Sequence, residues 1–238
     1  MPTVGVVIIG DEILSGKFAD ENGPYLIGRL RELGADLRRL TTISDELPAI
    51  ADEVQRCSDA CDLVITTGGV GPTHDDRTLE GLAHAFDVPL YEHPELVDLL
   101  RSFRLELTPA SLRMATVPEG SELIPTPEGS YPVLRYRNVY VFPGVPRLMQ
   151  QKFEAVAAHF AGERVRTARL YTQERETAIA ATLAAVQEAE PQVSIGSYPR
   201  FGEGDYRVIV TLESRDDEAL ERAVSTLRTR LPLVEPAL

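Results

Sequence analysis

The chain is nearly without lysine and poor in cysteine. Of its 24 basic residues only Lys17 and Lys152 are lysines, and its thiols are Cys57 and Cys61 alone. Two cysteines four residues apart do not suggest a disulfide framework. With no nearby histidine pair they do not suggest structural zinc either; the spacing suits one buried helix face. Positive charge is also scarce. Thirty-seven acidic residues leave a net charge of −13, which makes the electrostatic part of nucleic-acid or membrane-surface binding repulsive. No nucleic-acid and no membrane partner is therefore expected, although a nucleotide remains possible if amides and a metal meet its phosphates. Long apolar runs are missing, and the chain starts directly on a strand, Val4 to Ile9. Neither a signal peptide nor a transmembrane helix is read, and a cytoplasmic protein is expected.

What is present is alternation. Strands at Val4 to Ile9, Asp36 to Ile43 and Asp62 to Thr67 are separated by helical patterns near Asn22 to Leu33 and Pro48 to Cys57. That order predicts a parallel sheet covered by helices, with ligands at the carboxyl ends of its strands. Helices follow at Pro94 to Phe103 and Pro109 to Met114, then a proline-rich stretch from Pro118 to Pro132 expected to be irregular. A strand at Asn138 to Phe142 leads into a helix reaching about Phe160. Composition shifts near Gly162, so residues 1–162 and 163–238 are predicted as a large domain and a small α+β module. The module's element order is loosely KH-like, but it has no GxxG clamp with basic flanks. Its turn, Phe201-Gly202-Glu203-Gly204-Asp205, reads as a hairpin connection.

The richest stretch is Thr66-Thr67-Gly68-Gly69-Val70-Gly71-Pro72-Thr73-His74-Asp75-Asp76, between an apolar strand and a helix opening at Thr78. Glycines there present bare amides at a positive helix end, a place where phosphates bind. The adjacent carboxylates of Asp75 and Asp76 make sense beside a phosphate if a divalent cation lies between. A tight turn with an acidic first helical turn would use the same residues. His74 lies in this loop and could meet a phosphate or a metal. The first strand empties into Asp11, Glu12, Ser15 and Gly16, which suit ligand contact. Asn22 could cap a helix or reach the ligand, and Asp45 by itself reads as an N-cap. Pro143-Gly144-Val145-Pro146 forms another strand-to-helix turn that permits close approach of a flat or phosphorylated ligand.

Gly10-Asp11-Glu12-Ile13-Leu14, the run Thr67 to Asp76 and Pro143 to Pro146 together resemble the molybdopterin-binding-like superfamily. That superfamily includes molybdopterin adenylyltransferases, the N-terminal domain of competence/damage-inducible protein A and the N-terminal domain of eukaryotic bifunctional FAD synthases. The likeness to the last extends through His93-Pro94-Glu95-Leu96, Arg137 to Gly144, Val193 to Pro199 and Leu212-Glu213-Ser214. It implies a three-layer α/β/α domain plus the small module. It further implies metal-dependent hydrolysis of a nucleotide pyrophosphate such as FAD or ADP-ribose, releasing AMP. The nucleotidyl-transferring domain of the FAD synthases has no counterpart in these residues, so FAD synthesis is not expected.

By this resemblance Asp76 binds metal and Asp45 has a catalytic or metal role. Asp45, Asp75 and Asp76 are expected to hold Mg²⁺, Co²⁺ or Mn²⁺, with K⁺ a further candidate. Glu80 is expected to orient water. Gly68, Gly69, Gly71, Thr73, Pro143, Gly144 and Pro146 are expected to contact the substrate. Two rival readings are adenylyl transfer to molybdopterin and a non-catalytic nucleotide-binding module. A two-fold dimer is expected through the apolar stripe Leu96, Leu99, Leu100 and Phe103.

Overall fold

The computed structural model describes residues 1–126, 130–200, 202 and 204–235. The chain divides into two units, Met1–Gly162 and Glu163–Leu238. In the first unit β1 (Thr3–Ile9) is buried at every residue after Thr3, as a strand covered on both faces must be. A single turn, α1 (Asp11–Leu14), precedes α2 (Asn22–Glu32), β2 (Asp36–Ile43), α3 (Leu47–Ala60), β3 (Leu63–Thr67) and α4 (Thr78–Ala85). A small excursion follows: β4 (Leu90–Glu92), α5 (Pro94–Ser102), α6 (Pro109–Arg113) and β5 (Thr116–Pro118), where β4 and β5 pair antiparallel. Then come β6 (Glu122–Ile124), β7 (Val133–Tyr136), β8 (Val139–Phe142) and α7 (Pro146–Val156), which tightens into a 3-10 turn at Ala157–Phe160.

The main sheet has six strands in the order β2-β1-β3-β8-β7-β6. The first four are parallel, β7 runs against them, and β6, antiparallel to β7, returns to their direction. The sheet is therefore mixed, where alternation predicts a parallel one. The difference lies in the β7–β8 turn, where Arg137 takes the left-handed conformation (φ 52°). Glycine or asparagine usually marks that conformation in sequence. Here Arg137 holds it, with its guanidinium stacked 4.6 Å from the Phe86 ring centroid. The stretch expected to be irregular from Pro118 to Pro132 contains β6, and Pro127, Glu128 and Gly129 lie outside the described residues.

Side chains alternate across the sheet and build one core on each face, which gives three layers. Val7 and Ile9 meet Ile50, Val54 and Leu82 on one side; Val6 and Ile8 meet Leu26, Met149 and Phe153 on the other. Cys57 and Cys61 are buried and unbridged; Cys57 lies on the inward face of α3, while Cys61 follows the helix in extended backbone instead of sharing that face. The stripe proposed for a dimer belongs to the chain's own core. Leu96 and Leu100 are 1% and 0% exposed, Leu99 packs against the same cluster, and Phe103 alone stands out to solvent. An amphipathic helix shows which face is buried but not against what.

The second unit contains β9 (Arg166–Thr172), α8 (Glu176–Ala189), β10 (Ser194–Pro199), β11 (Val208–Ser214), α9 (Asp217–Arg230) and β12 (Leu233–Val234). Its sheet order is β10-β11-β9-β12, antiparallel throughout. The α+β character holds. Each helix connects two strands separated by a third, which is the split βαβ arrangement rather than a KH-like one. The Asp216 carboxylate caps α9, accepting from the Ala219 amide at 3.0 Å. Phe201 and Glu203 of the expected hairpin turn lie outside the described residues. Among the described residues no helix is long and apolar enough to cross a membrane.

Candidate functional site at the carboxyl edge of the first sheet

Strand order reverses between β1 and β3: from β1 the chain steps outward to β2, then returns to the other side. Crevices for ligands form at such switch points. A cleft of about 190 Å³ opens there, walled by Ile9 of β1, Thr67 of β3, Asn22 of α2 and Gly144 after β8. Glu12 and Pro146 also line it, whereas Ser15 and Gly16 line none of the clefts described here. The Ser15 hydroxyl donates back to the Glu12 carbonyl at 3.3 Å, and Gly16 (φ 72°) ends α1.

The glycine loop is fixed from below and open above. Gly68 has φ 106°, and a Cβ there would lie 2.0 Å from the Ile9 carbonyl oxygen; no other residue fits. The Thr78 hydroxyl donates to the Gly68 carbonyl at 2.7 Å, and the Thr78 amide to that of Gly69 at 2.9 Å. The amides of Gly69, Val70 and Gly71 find no acceptor among the described residues. Such an array of unengaged N–H groups in a glycine turn suits a phosphate. The Pro143–Pro146 turn closes on this loop, with Gly144 so near that a Cβ would meet the Gly68 Cα at 3.2 Å.

Asn22 ties the two turns together. Its Nδ2 donates to the Thr67 hydroxyl and to the Gly144 carbonyl, both at 2.9 Å, and Thr67 in turn donates to the Pro143 carbonyl at 2.9 Å. It is not the helix cap: Glu21 holds the N-cap position, and the first helical amides, of Asn22 and Gly23, donate to the Asp20 carboxylate at 2.9 and 3.0 Å. The buried Oδ1 of Asn22 has no partner, although a buried acceptor is expected to be satisfied. Asp20 was not foreseen from sequence, yet an Asp two residues before a helix pattern is a capping signal.

The acidic residues fall into three situations. Asp45 is not the N-cap of α3; Glu46 occupies that position, without a side-chain capping bond. Its Oδ2 instead accepts the Asp11 amide at 2.9 Å, across from β2 to the loop after β1. Desolvation and the neighbouring carboxylates of Asp11, Glu12 and Asp75 raise its pKa, against the lowering effect of the Asp11 amide. Asp76 turns inward. Its Oδ2 accepts the Thr73 amide at 2.8 Å and the Thr73 hydroxyl as well, bracing the loop. Asp75 and His74 point outward, with side chains 63% and 95% exposed and 3.9 Å apart. Glu80 stands between two guanidiniums, Arg77 at 3.3 Å and Arg113 at 3.2 Å, beside a small cleft that Gly69, Gly71 and Asp76 also line. Arg113 was likewise missed by the sequence reading, because α6 reads only as an apolar helix.

Among the described residues no three His, Cys, Asp or Glu side chains converge as a metal cage. The expected triad of Asp45, Asp75 and Asp76 is thus not preassembled; its members ring the loop with different orientations. A hard cation such as Mg²⁺ would need only one or two of these carboxylates, completing its shell with water and phosphate oxygens. The raised pKa of Asp45 marks where its charge is uncompensated.

Residues 5–162 match a family described as a probable molybdopterin binding domain, and residues 164–235 match the FAD synthase middle domain. A probable FAD synthase of Caenorhabditis elegans is 33% identical over 96% of this chain and 50% of its own length. A protein of Archaeoglobus fulgidus is 35% identical over 92% of this chain and 93% of its length. A CinA-like protein of Myxococcus xanthus is 38% identical over 60% of this chain and 36% of its own. The chain therefore spans half or less of the FAD synthase and CinA-like relatives cited here. Among solved structures, CinA of Thermoplasma acidophilum, a protein of unknown function, superposes with a TM-score of 0.62 at 29% identity. That match covers 67% of this chain and 99% of the other.

Proposed function

The chain belongs to the molybdopterin-binding domain family, and from that premise we propose that its first unit hydrolyses a nucleotide pyrophosphate, releasing AMP from a substrate such as FAD or ADP-ribose. The observation that carries this reading is the glycine loop. Three unengaged amides sit at the switch point of the sheet beside a carboxylate of raised proton affinity. The relatives named FAD synthase and CinA-like point toward nucleotide chemistry.

In this reading the amides of Gly69, Val70 and Gly71 accept the charge that grows on the attacked phosphate. Asn22 keeps the loop and the Gly144 turn at fixed separation through its Nδ2 bonds to Thr67 and Gly144. Asp76 holds the loop through Thr73 with one oxygen and leaves the other for a cation; Asp45 and Asp75 offer further oxygens. A divalent ion bound there would neutralise the bridging phosphates and lower the pKa of its water. Glu80 fixes Arg113 and Arg77 near the loop, a positioning role.

The test is a screen of FAD, ADP-ribose, NAD and coenzyme A with Mg²⁺, Mn²⁺ and Co²⁺, scored by AMP release. Metal-dependent AMP release from at least one substrate is expected. No release from any of them would remove the reading.

A further inference from the structure

A second cleft, of about 160 Å³, lies on the other side of the glycine loop. Its walls are apolar: Val70 of the loop, Leu79 of α4, Met114, Leu134 of β7, Val141 of β8 and Leu148 of α7. One charged group enters it, the ammonium of Lys152. That ammonium donates to the carbonyl of Tyr131 and, at 3.3 Å, to that of Pro132, and it lies 5.5 Å from the Tyr131 ring centroid. An ammonium has three donors. Two are engaged, the third is left, and no carboxylate among the described residues pairs with it. Desolvation lowers its pKa from 10.5 to about 8. An unpaired cation in an apolar cleft calls for an acceptor that is itself set in a flat apolar frame.

We propose that this cleft receives the flat heterocyclic end of a dinucleotide, with Lys152 donating to a ring carbonyl. The proposal rests on the reading that the loop holds a pyrophosphate, because Val70 and Pro143 place the cleft directly beside that loop. It selects a substrate class. A fused ring with carbonyl oxygens matches the apolar lining in character and uses the remaining donor. A bare distal ribose would bury hydroxyls without partners, each at a cost of about 1–3 kcal/mol. FAD is therefore preferred over ADP-ribose.

The chain's two lysines make the test simple. Acetic anhydride labels Lys17, which is exposed, and Lys152, and mass spectrometry reads the two rates separately. FMN carries the ring and one phosphate but no pyrophosphate, so hydrolysis does not enter. FMN is expected to slow acetylation of Lys152 at least fivefold and to leave Lys17 unchanged, while ribose 5-phosphate has no effect. In Lys152→Met, FMN affinity read by flavin fluorescence should fall at least tenfold at unchanged melting temperature. Neopterin, a smaller ring with a carbonyl, distinguishes a general ring site from one that fits a flavin, and protection by either supports the proposal. No protection by FMN or neopterin, or equal protection by ribose 5-phosphate, overturns it. AMP release from ADP-ribose without FMN protection would sink this inference and leave the pyrophosphatase reading standing. FMN protection without AMP release from any substrate would do the reverse.

Discussion

The same four parallel strands end in two very different edges. At their amino ends the polar groups are closed upon one another. The Thr3 amide and hydroxyl both donate to Asp62 at 2.8 Å, and the Asp62 amide returns a bond to Thr3 at 2.9 Å. Asn138 donates to the carbonyls of Ser58 and Cys61 at 3.1 and 3.0 Å and accepts from the Ser58 hydroxyl at 2.6 Å. At their carboxyl ends the Asn22 Oδ1 is orphaned, three loop amides are unengaged and Asp45 faces like charges. One edge uses its polar residues to hold the fold, while the other leaves them available. A folded protein tolerates such groups chiefly where function requires them.

Substitutions at the two edges should separate stability from activity, and the largest effect is expected at Gly68. Gly68→Ala forces a Cβ to within 2.0 Å of a carbonyl oxygen at φ 106°. A loss of about 3 kcal/mol or more is expected in urea unfolding, with turnover abolished. Wild-type stability would mean that the loop relaxes and is not braced as described.

Next comes the amino edge. Asn138→Ala strands two carbonyls and a hydroxyl, and should cost about 2–3 kcal/mol. AMP release per folded molecule should stay within about threefold of wild type. A large drop in turnover at that distance from the loop would erase the contrast between the edges.

The smallest effect has the opposite sign. The folded-state pKa of Asp45 lies above its ordinary 3.8, so the folded protein binds protons more readily there than the unfolded chain. Ionisation therefore costs stability, absent well below that value and fully present once pH passes the folded pKa. Asp45→Asn keeps an acceptor for the Asp11 amide and removes the charge. With chelator present, its melting temperature should rise by about 1–3 °C at neutral pH, and the gain should fade as pH falls through the acidic range. Turnover should drop at least tenfold. A variant that is both less stable and fully active would contradict the assignment of Asp45 to the site.

Much of this was legible in sequence wherever one rule dominates. Strand β2 runs from Asp36 to Ile43 as the pattern predicts, because its ends are set by Gly34 before it and polar residues after it. The glycine loop announced itself because Gly68, at φ 106°, holds a conformation that other residues rarely adopt. What could not be read depends on neighbours distant in sequence. Asn22 carries a capping residue's signature, yet it bonds to residues 45 and 122 positions away. Asp45 looked like a cap for the same reason, since reach across a switch point leaves no local trace. Lys152 sits in an unremarkable amphipathic helix, and only the packing of Tyr131 and Leu148 makes its site apolar. The stripe of Leu96 and Leu100 shows the converse, a clear pattern whose partner was the chain itself.

The central claim, that the carboxyl edge performs the chemistry, is tested most directly by the rate of AMP release in Asp76→Asn. The carboxamide can still accept from Thr73 and so preserve the loop, while the charge available to a cation is gone. The account predicts a fall in kcat of order 10² or more at an unchanged melting temperature. Activity within a few-fold of wild type, with the same melting temperature, would contradict it.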